Sequence, residues 1–142
     1  AAHEPTGIGK VSAALARSGL SRMRDDLALR ERRARRLVAA ARAGRRCTPI
    51  EPQAQARATW LRAPMLLRDR SEPPASLGVY RAYPRAVSDQ TEIADILCRP
   101  LPPLPGATLL ASQLVTLPTH ARLAERDLRA LEQWLTSDSF VA

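Results

Sequence analysis

The stretch Thr59–Leu67, TWLRAPMLL, decides the fold of this chain. Its alternate positions fall on one side of an extended backbone, which predicts a half-buried strand with these residues on one face: Leu61, Ala63, Met65 and Leu67. Pro64 cannot donate a ladder hydrogen bond, so we expect a sheet edge or a bulge there. A single strand cannot bury a core, so the fold needs partner strands and a covering layer.

Two later stretches predict the partner strands. Gly78–Tyr83 predicts a second strand that ends at Pro84, and Leu114–Leu117 predicts a third that ends at Pro118. The polar segment 69–75 between the first two strands has room for at most a short helix. The Pro-rich residues 100–106 predict a stiff connector on the surface.

Helices supply the covering layer. Residues 12–43 predict a long helix that ends at Gly44, with Gly19 as a break or kink. Its apolar stripe recurs at spacings of three, four or seven: Leu20, Met23, Leu27, Ala34, Leu37 and Ala41. The stripe is long for so small a sheet, so we expect part of it to pack against something outside this chain.

The C-terminal half predicts shorter helices. Residues 124–136 predict the last helix, with acidic side chains in its first turn and these residues on its apolar side: Leu128, Leu131, Trp134 and Leu135. Residues 88–98 predict a short helix, and Leu109–Leu110 predict a helical turn. We interpret Trp60, Tyr80 and Trp134 as packing residues.

The predicted fold class is therefore α+β, a long N-terminal helix followed by a small two- to three-stranded sheet covered by helices. We divide the chain into residues 1–46, a helical region, and residues 47–142, a small α+β domain.

The charge of the chain is concentrated in the first helix. The 142 residues carry a net charge of +8, and Lys10 is the only lysine beside 21 arginines. Ten arginines and three acidic residues lie between Leu20 and Arg46. Such a helix could follow a phosphate backbone, but no aromatic side chain interleaves with it, which disfavours nucleic-acid binding. The other interpretation is a solvated face, or a face that pairs with acidic groups of another domain.

The sequence lacks the motifs of several classes of protein. No run of about 18 apolar residues predicts a membrane span, and the first residues do not resemble a signal peptide. Cys47 and Cys98 form no zinc spacing or disulfide framework, so we expect both to be reduced in the cytoplasm. Residues 7–12, GIGKVS, fail the phosphate-loop pattern.

We predict no catalytic residue and no metal ligand within this chain. Without an initiator Met, we expect a processed form or a piece of a longer protein.

Five stretches, taken in order, resemble a known family. They are SAALARSGLSRM at Ser12–Met23, RRARRL at Arg32–Leu37, LRAPMLL at Leu61–Leu67, GVYRAYP at Gly78–Pro84, and LVTLPTH at Leu114–His120 followed by Asp127, Leu128 and Leu131. In this order they resemble the C-terminal part of the DegT/DnrJ/EryC1/StrS aminotransferases, which are fold-type I pyridoxal-phosphate enzymes. The resemblance covers nearly the whole chain.

The resemblance implies a function for a longer protein. It implies that the chain is the small domain, with an interdomain helix, of an enzyme that moves an amino group from a donor such as glutamate to a nucleotide-linked keto sugar. The family's cofactor-binding lysine lies upstream of these motifs, so pyridoxal phosphate is expected only in the full-length enzyme, a cytoplasmic homodimer. Ser12 corresponds to a residue near the cofactor, while Tyr83 and His120 are candidates for substrate contact or for structural roles.

Two other functions stay open at this stage. The arginine-rich helix could make the chain a basic helical module that binds nucleic acid or an acidic protein partner. The chain could also be a degenerate, standalone remnant of the enzyme that serves as an oligomerisation partner.

Overall fold

The computed structural model describes residues 9–69, 71–90, 96, 102 and 104–137. The helices and strands in these ranges are, in chain order, α1 (Lys10–Ala43), β1 (Cys47–Pro49), β2 (Arg62–Leu67), β3 (Tyr80–Arg81), α2 (Pro105–Gln113), β4 (Leu114–Pro118) and α3 (Glu125–Thr136). Short 3-10 turns cover Ala75–Leu77 and Val87–Asp89. The α+β class is confirmed, but the sheet has four strands where the sequence predicted two or three.

The strands form an antiparallel sheet in the order β1-β2-β4-β3. The last strand in sequence, β4, is therefore an inner strand, and Met65 of β2 lies opposite Val115 of β4. The additional strand is β1, which is only three residues long and ends in Pro49. Pro49 disfavours a strand locally, and pairing with β2 overrides that preference.

β2 as a whole is an inner strand, but at Pro64 it pairs with β4 alone, so the expected sheet edge is found at that residue. Pro64 faces Thr116 of β4, and its carbonyl oxygen accepts a hydrogen bond from the Ile50 N–H at 3.1 Å. The missing N–H would point the same way as that carbonyl, toward Ile50. Since β1 ends at Pro49, Pro64 lies just past the end of the β1–β2 pairing. Its missing N–H therefore removes no hydrogen bond between β1 and β2.

The core lies between one face of the sheet and the two long helices. Ala63, Met65 and Leu67 of β2 are buried as predicted, whereas Leu61 precedes the strand and is exposed. The second half of α1 and the inner face of α3 cover them with Ala34, Leu37, Ala41, Leu128, Leu131 and Leu135. Trp60 and Trp134 are half-buried at the margin of this core.

Helix α1 runs without a break through Gly19, so the predicted break is wrong. Ala43 ends the helix, as predicted, and the Gly44 N–H donates to the Ala40 carbonyl oxygen at 2.9 Å. The reason for glycine there is space rather than backbone conformation. A Cβ on Gly44 would lie 2.1 Å from the Leu135 carbonyl oxygen of α3.

The remaining elements differ from the prediction in length. β3 covers only Tyr80–Arg81, and the helical turn predicted at Leu109–Leu110 is part of the nine-residue α2. Tyr80 is 52% exposed instead of packed. Most of the helix predicted over residues 88–98 lies outside the described residues.

Candidate functional site

The three residues singled out by resemblance lie on exposed positions of different elements. Ser12 is in the first turn of α1, Tyr83 follows β3, and His120 directly follows β4. Within the described ranges, no hydrogen bond or ion pair joins the side chains of these three residues. Their functional roles stay predictions.

The turn that carries His120 is firmly held by its neighbours. The buried Thr119 hydroxyl donates to the carbonyl oxygens of Trp60 at 2.5 Å and Leu61 at 3.1 Å. From α1, Arg33 donates to the backbone carbonyl of His120 and, at 2.9 Å, to that of Leu123. These bonds fix the backbone while the imidazole of His120 stays exposed.

An open groove of about 910 Å³ runs along the first half of α1, and we name it the Leu20 groove. Its lining combines apolar, small and charged residues: Ala16, Gly19, Leu20, Arg22, Met23, Asp25, Asp26, Leu29, Arg32 and Ala121. Since Ala121 is the neighbour of His120, the turn after β4 forms one end of the groove.

The Leu20 groove continues the apolar stripe of α1 beyond the core. In the second half of the helix, Leu37 and Ala41 are completely buried. In the first half, Leu20 and Met23 of the same stripe are 62% and 48% exposed. Within the described residues, the first half of the helix therefore leaves the apolar side chains of Leu20 and Met23 largely uncovered.

Most of the arginines on α1 hold the molecule together. Six of the ten between Leu20 and Arg46 contact acidic side chains, backbone carbonyls or an aromatic ring: Arg30, Arg33, Arg35, Arg36, Arg42 and Arg46. Arg36 reaches Glu132 and Glu125 of α3 at 2.8 Å each, and hydrogen bonding to these carboxylates raises the pKa of Arg36. The same contact lowers the pKa of Glu125. Arg33, Arg36 and Arg42 join α1 to α3 and the adjoining loops, and Arg46, just after the helix, does the same. Arg35 instead pairs with Glu31 within α1.

Arg62 is a structural residue that the sequence analysis missed. Its guanidinium donates to the Thr116 hydroxyl and carbonyl at 2.7 Å each, and to the Gly78 carbonyl at 2.5 Å. It also lies 5.6 Å from the centre of the Tyr80 ring, and burial lowers the pKa of Arg62. The contacts join β2, β4 and β3, and the only signal in sequence was a charged residue at the start of a buried strand.

The described residues do not form a complete pyridoxal-phosphate site. Lys10 is exposed in the first turn of α1. The hydroxyl of Ser12 is exposed on the same turn. A cofactor held by such residues would need further groups from another domain or subunit.

Metal and membrane features are also absent from the described part of the chain. No three His, Cys, Asp or Glu side chains cluster there as metal ligands would, and no helix is long and apolar enough to span a bilayer. Burial raises the pKa of the Cys47 thiol to about 12, which leaves it protonated at neutral pH.

The fold and the Leu20 groove together define a small α+β unit whose long helix is exposed along its first half, as far as the described residues show. Among solved structures, the chain is similar to part of a crystal structure of a DegT DnrJ EryC1 StrS aminotransferase from Brucella abortus, with a TM-score of 0.70 and 21% identity. The match covers 95% of this chain but 38% of that one. No family model matches the sequence, and neither does any curated protein. The likeness therefore shows a shared fold.

Proposed function

We propose that this chain is the C-terminal small-domain part of a pyridoxal-phosphate-dependent aminotransferase that acts on a nucleotide-linked keto sugar. The observation that carries the proposal is the structural match, which extends over 95% of this chain. The five ordered motifs, which run from Ser12 to Leu131, point to the same family independently of the structure.

The exposed first half of α1 supports the inference that the chain belongs to a larger protein. Covering the exposed parts of Leu20 and Met23 would contribute about 1–2 kcal/mol each, so a covering domain gains from this surface. We infer that residues 1–46 form the interdomain region, that a large domain covers the Leu20 groove, and that residues 47–142 close over the substrate. The chain alone is then inactive.

Pyridoxal phosphate, when bound in the whole enzyme, supplies the electron sink for amino-group transfer. This chain would contribute the exposed groups that border the cleft: the Ser12 hydroxyl toward the cofactor phosphate, and Tyr83 and His120 toward the sugar. The fixed turn at Thr119 would orient His120. We also infer a cytoplasmic homodimer, with an amino donor such as glutamate as co-substrate.

Trapping pyridoxal phosphate on the isolated chain tests whether the cofactor site lies in another part of the enzyme. Because Lys10 is the only lysine, borohydride reduction in the presence of pyridoxal phosphate followed by mass spectrometry reports on one side chain and the α-amino group. We expect labelling that rises without saturation and disappears from the side chain in Lys10→Arg. Stoichiometric, saturable labelling at micromolar cofactor would contradict the proposal, since the chain would then carry its own site.

Kinetics of the complete polypeptide test the assigned residues. We expect Tyr83→Phe and His120→Asn to raise KM for the keto sugar by about tenfold, the effect of one lost hydrogen bond, while KM for the amino donor stays constant. Tyr80→Phe serves as the matched control, because Tyr80 stacks on Arg62 outside the proposed cleft. Equal effects of all three substitutions on both substrates would exclude a specific role for Tyr83 and His120.

A further inference from the structure

A second open groove lies between α1 and residues 51–60, and we name it the Arg57 groove. Two cavities of about 440 and 480 Å³ form it and share Glu31, Arg57 and Ala58 in their linings. Most of the α1 residues that line it recur every three or four positions, with Leu27 and Ala39 beside them: Arg24, Ala28, Glu31, Arg35, Val38 and Arg42. This spacing marks one continuous helix face, different from the face that lines the Leu20 groove.

The charges in the Arg57 groove leave two cations unmatched. Glu31 accepts a hydrogen bond from Arg35 at 2.6 Å, and Glu51 accepts one from Arg42 at the same distance. Arg24 on α1 and Arg57 on the facing segment have no acidic partner among the described residues, although both line the 480 Å³ cavity. The cavity thus has one arginine from each wall in its lining, and the lining carries a net positive charge.

The segment that carries Arg57 is held at its C-terminal end by contacts of Trp60 and Leu61. Trp60 has a φ of +50°, a left-handed conformation that a bulky residue keeps only where its surroundings impose it. Its ring packs against the core, and its carbonyl accepts the Thr119 hydroxyl. Arg30 of α1 donates to the next carbonyl, that of Leu61, at 3.4 Å. These contacts anchor Trp60 and Leu61 beside α1, directly after the residues that line the groove, 57–59.

We propose that the Arg57 groove binds a small organic phosphate, with the phosphate between Arg24 and Arg57. Guanidinium groups bind phosphate oxygens through paired, charge-assisted hydrogen bonds, and two of them match a dianion. Thr59 lines the same cavity and offers a hydroxyl, while Leu27 and Ala28 form an apolar floor for the organic group. The cavity has the size of small-molecule sites, roughly 300–1,000 Å³. This inference does not depend on the aminotransferase proposal.

Titration of the 142-residue chain with phenyl phosphate, followed by calorimetry and ³¹P NMR, tests the proposal. We expect saturable binding with one site per chain, weakened about tenfold or more by Arg24→Gln and by Arg57→Gln. Both arginines are exposed, so neither substitution disturbs the core. Arg45→Gln is the matched control, because it removes an exposed arginine outside the groove and should change the affinity less than about twofold. Glu31→Gln should tighten binding, since it removes a carboxylate from the same cavity.

Three results would overturn the proposal. One is a response to phenyl phosphate that never saturates. Another is equal weakening by all three arginine substitutions, which would indicate general attraction to a basic surface, as with a single-stranded oligonucleotide. The third is binding of a polyglutamate peptide in the groove without binding of phenyl phosphate, which would assign the groove to an acidic protein partner.

Discussion

Burial of Cys47 controls the chemistry of its thiol. The side chain is completely buried, and desolvation raises its pKa to about 12, so almost no thiolate forms at neutral pH. In a Cys98→Ser background, we expect Cys47 in the folded chain to react with iodoacetamide at least about 100-fold more slowly than in the urea-unfolded chain. Mass spectrometry of timed samples gives both rates. Equal rates would contradict the packing assigned to β1.

The neighbouring Ser71 hydroxyl has the largest effect on the Asp69 carboxyl, with smaller effects from the Ser71 N–H and from the charge of Arg46. The Ser71 hydroxyl donates to it at 2.6 Å, and this hydrogen bond lowers the pKa of Asp69 below its ordinary value of 3.8. A lowered folded-state pKa stabilises the protein above pH 3.8, and this contribution is lost as the pH falls through the folded value.

Replacement of that neighbour gives a prediction. We expect Ser71→Ala to raise the pKa of Asp69 toward 3.8, as measured by NMR titration of its carboxyl carbon, and to destabilise the chain at pH 7 more than at pH 2. Ser112→Ala is the control, because the Ser112 hydroxyl donates to the Leu109 carbonyl instead of a carboxylate. An unchanged Asp69 titration in Ser71→Ala would exclude the assigned cause.

At the level of elements, Gly19 within α1 and Gly44 directly after it have opposite roles. A Cβ at Gly44 would collide with the Leu135 backbone, whereas a Cβ at Gly19 meets no atom within 4 Å. We expect Gly44→Ala to destabilise the fold by about 1–3 kcal/mol through overpacking of α1 on α3. Gly19→Ala should stabilise it by about 0.5–1 kcal/mol, because alanine favours the helix. Urea unfolding measures both, and a neutral Gly44→Ala would contradict the close approach of the helices.

The sequence predicts the helices and strands whose own hydrophobic pattern is strong. It does not predict the short strands that form only by pairing with a neighbour. α1, β2, β4 and α3 follow from periodicities of 3.6 or two residues, within a few residues of their bounds. β1 and β3 are three and two residues long and exist because a neighbouring strand binds them. The sheet order, with β4 inserted between β2 and β3, is set by packing between segments distant in sequence.

The candidate sites show the same division. The stripe at Leu20 and Met23 predicted an uncovered surface on α1, and exposure of both residues agrees with that expectation. The Arg57 groove was missed because it exists only once residues 51–60 lie beside α1. The sequence carries one sign of it. Arg24, Glu31, Arg35 and Arg42 recur at helical spacing on α1, the helix that also carries the apolar stripe of the core.

For the whole molecule, the two halves of α1 should differ in stability. Residues 34–41 are packed against the sheet and α3, whereas residues 13–23 have no such cover among the described residues. In the isolated chain, we expect amide hydrogens of the first half to exchange about 100-fold or more faster than those of the second. In the complete polypeptide, the first half should become protected while residues 34–41 change little. An unprotected first half there would show that the large domain lies elsewhere.

The nucleotide sequence upstream of the Ala1 codon tests the central claim most directly. The proposal predicts an open reading frame that continues upstream into a large α/β domain containing a lysine in a cofactor-binding context. In that case α1 is an interdomain helix and the Leu20 groove is its covered face. A stop codon followed by an initiation codon directly before Ala1 would contradict the account, because the encoded chain would then lack the cofactor-binding lysine altogether.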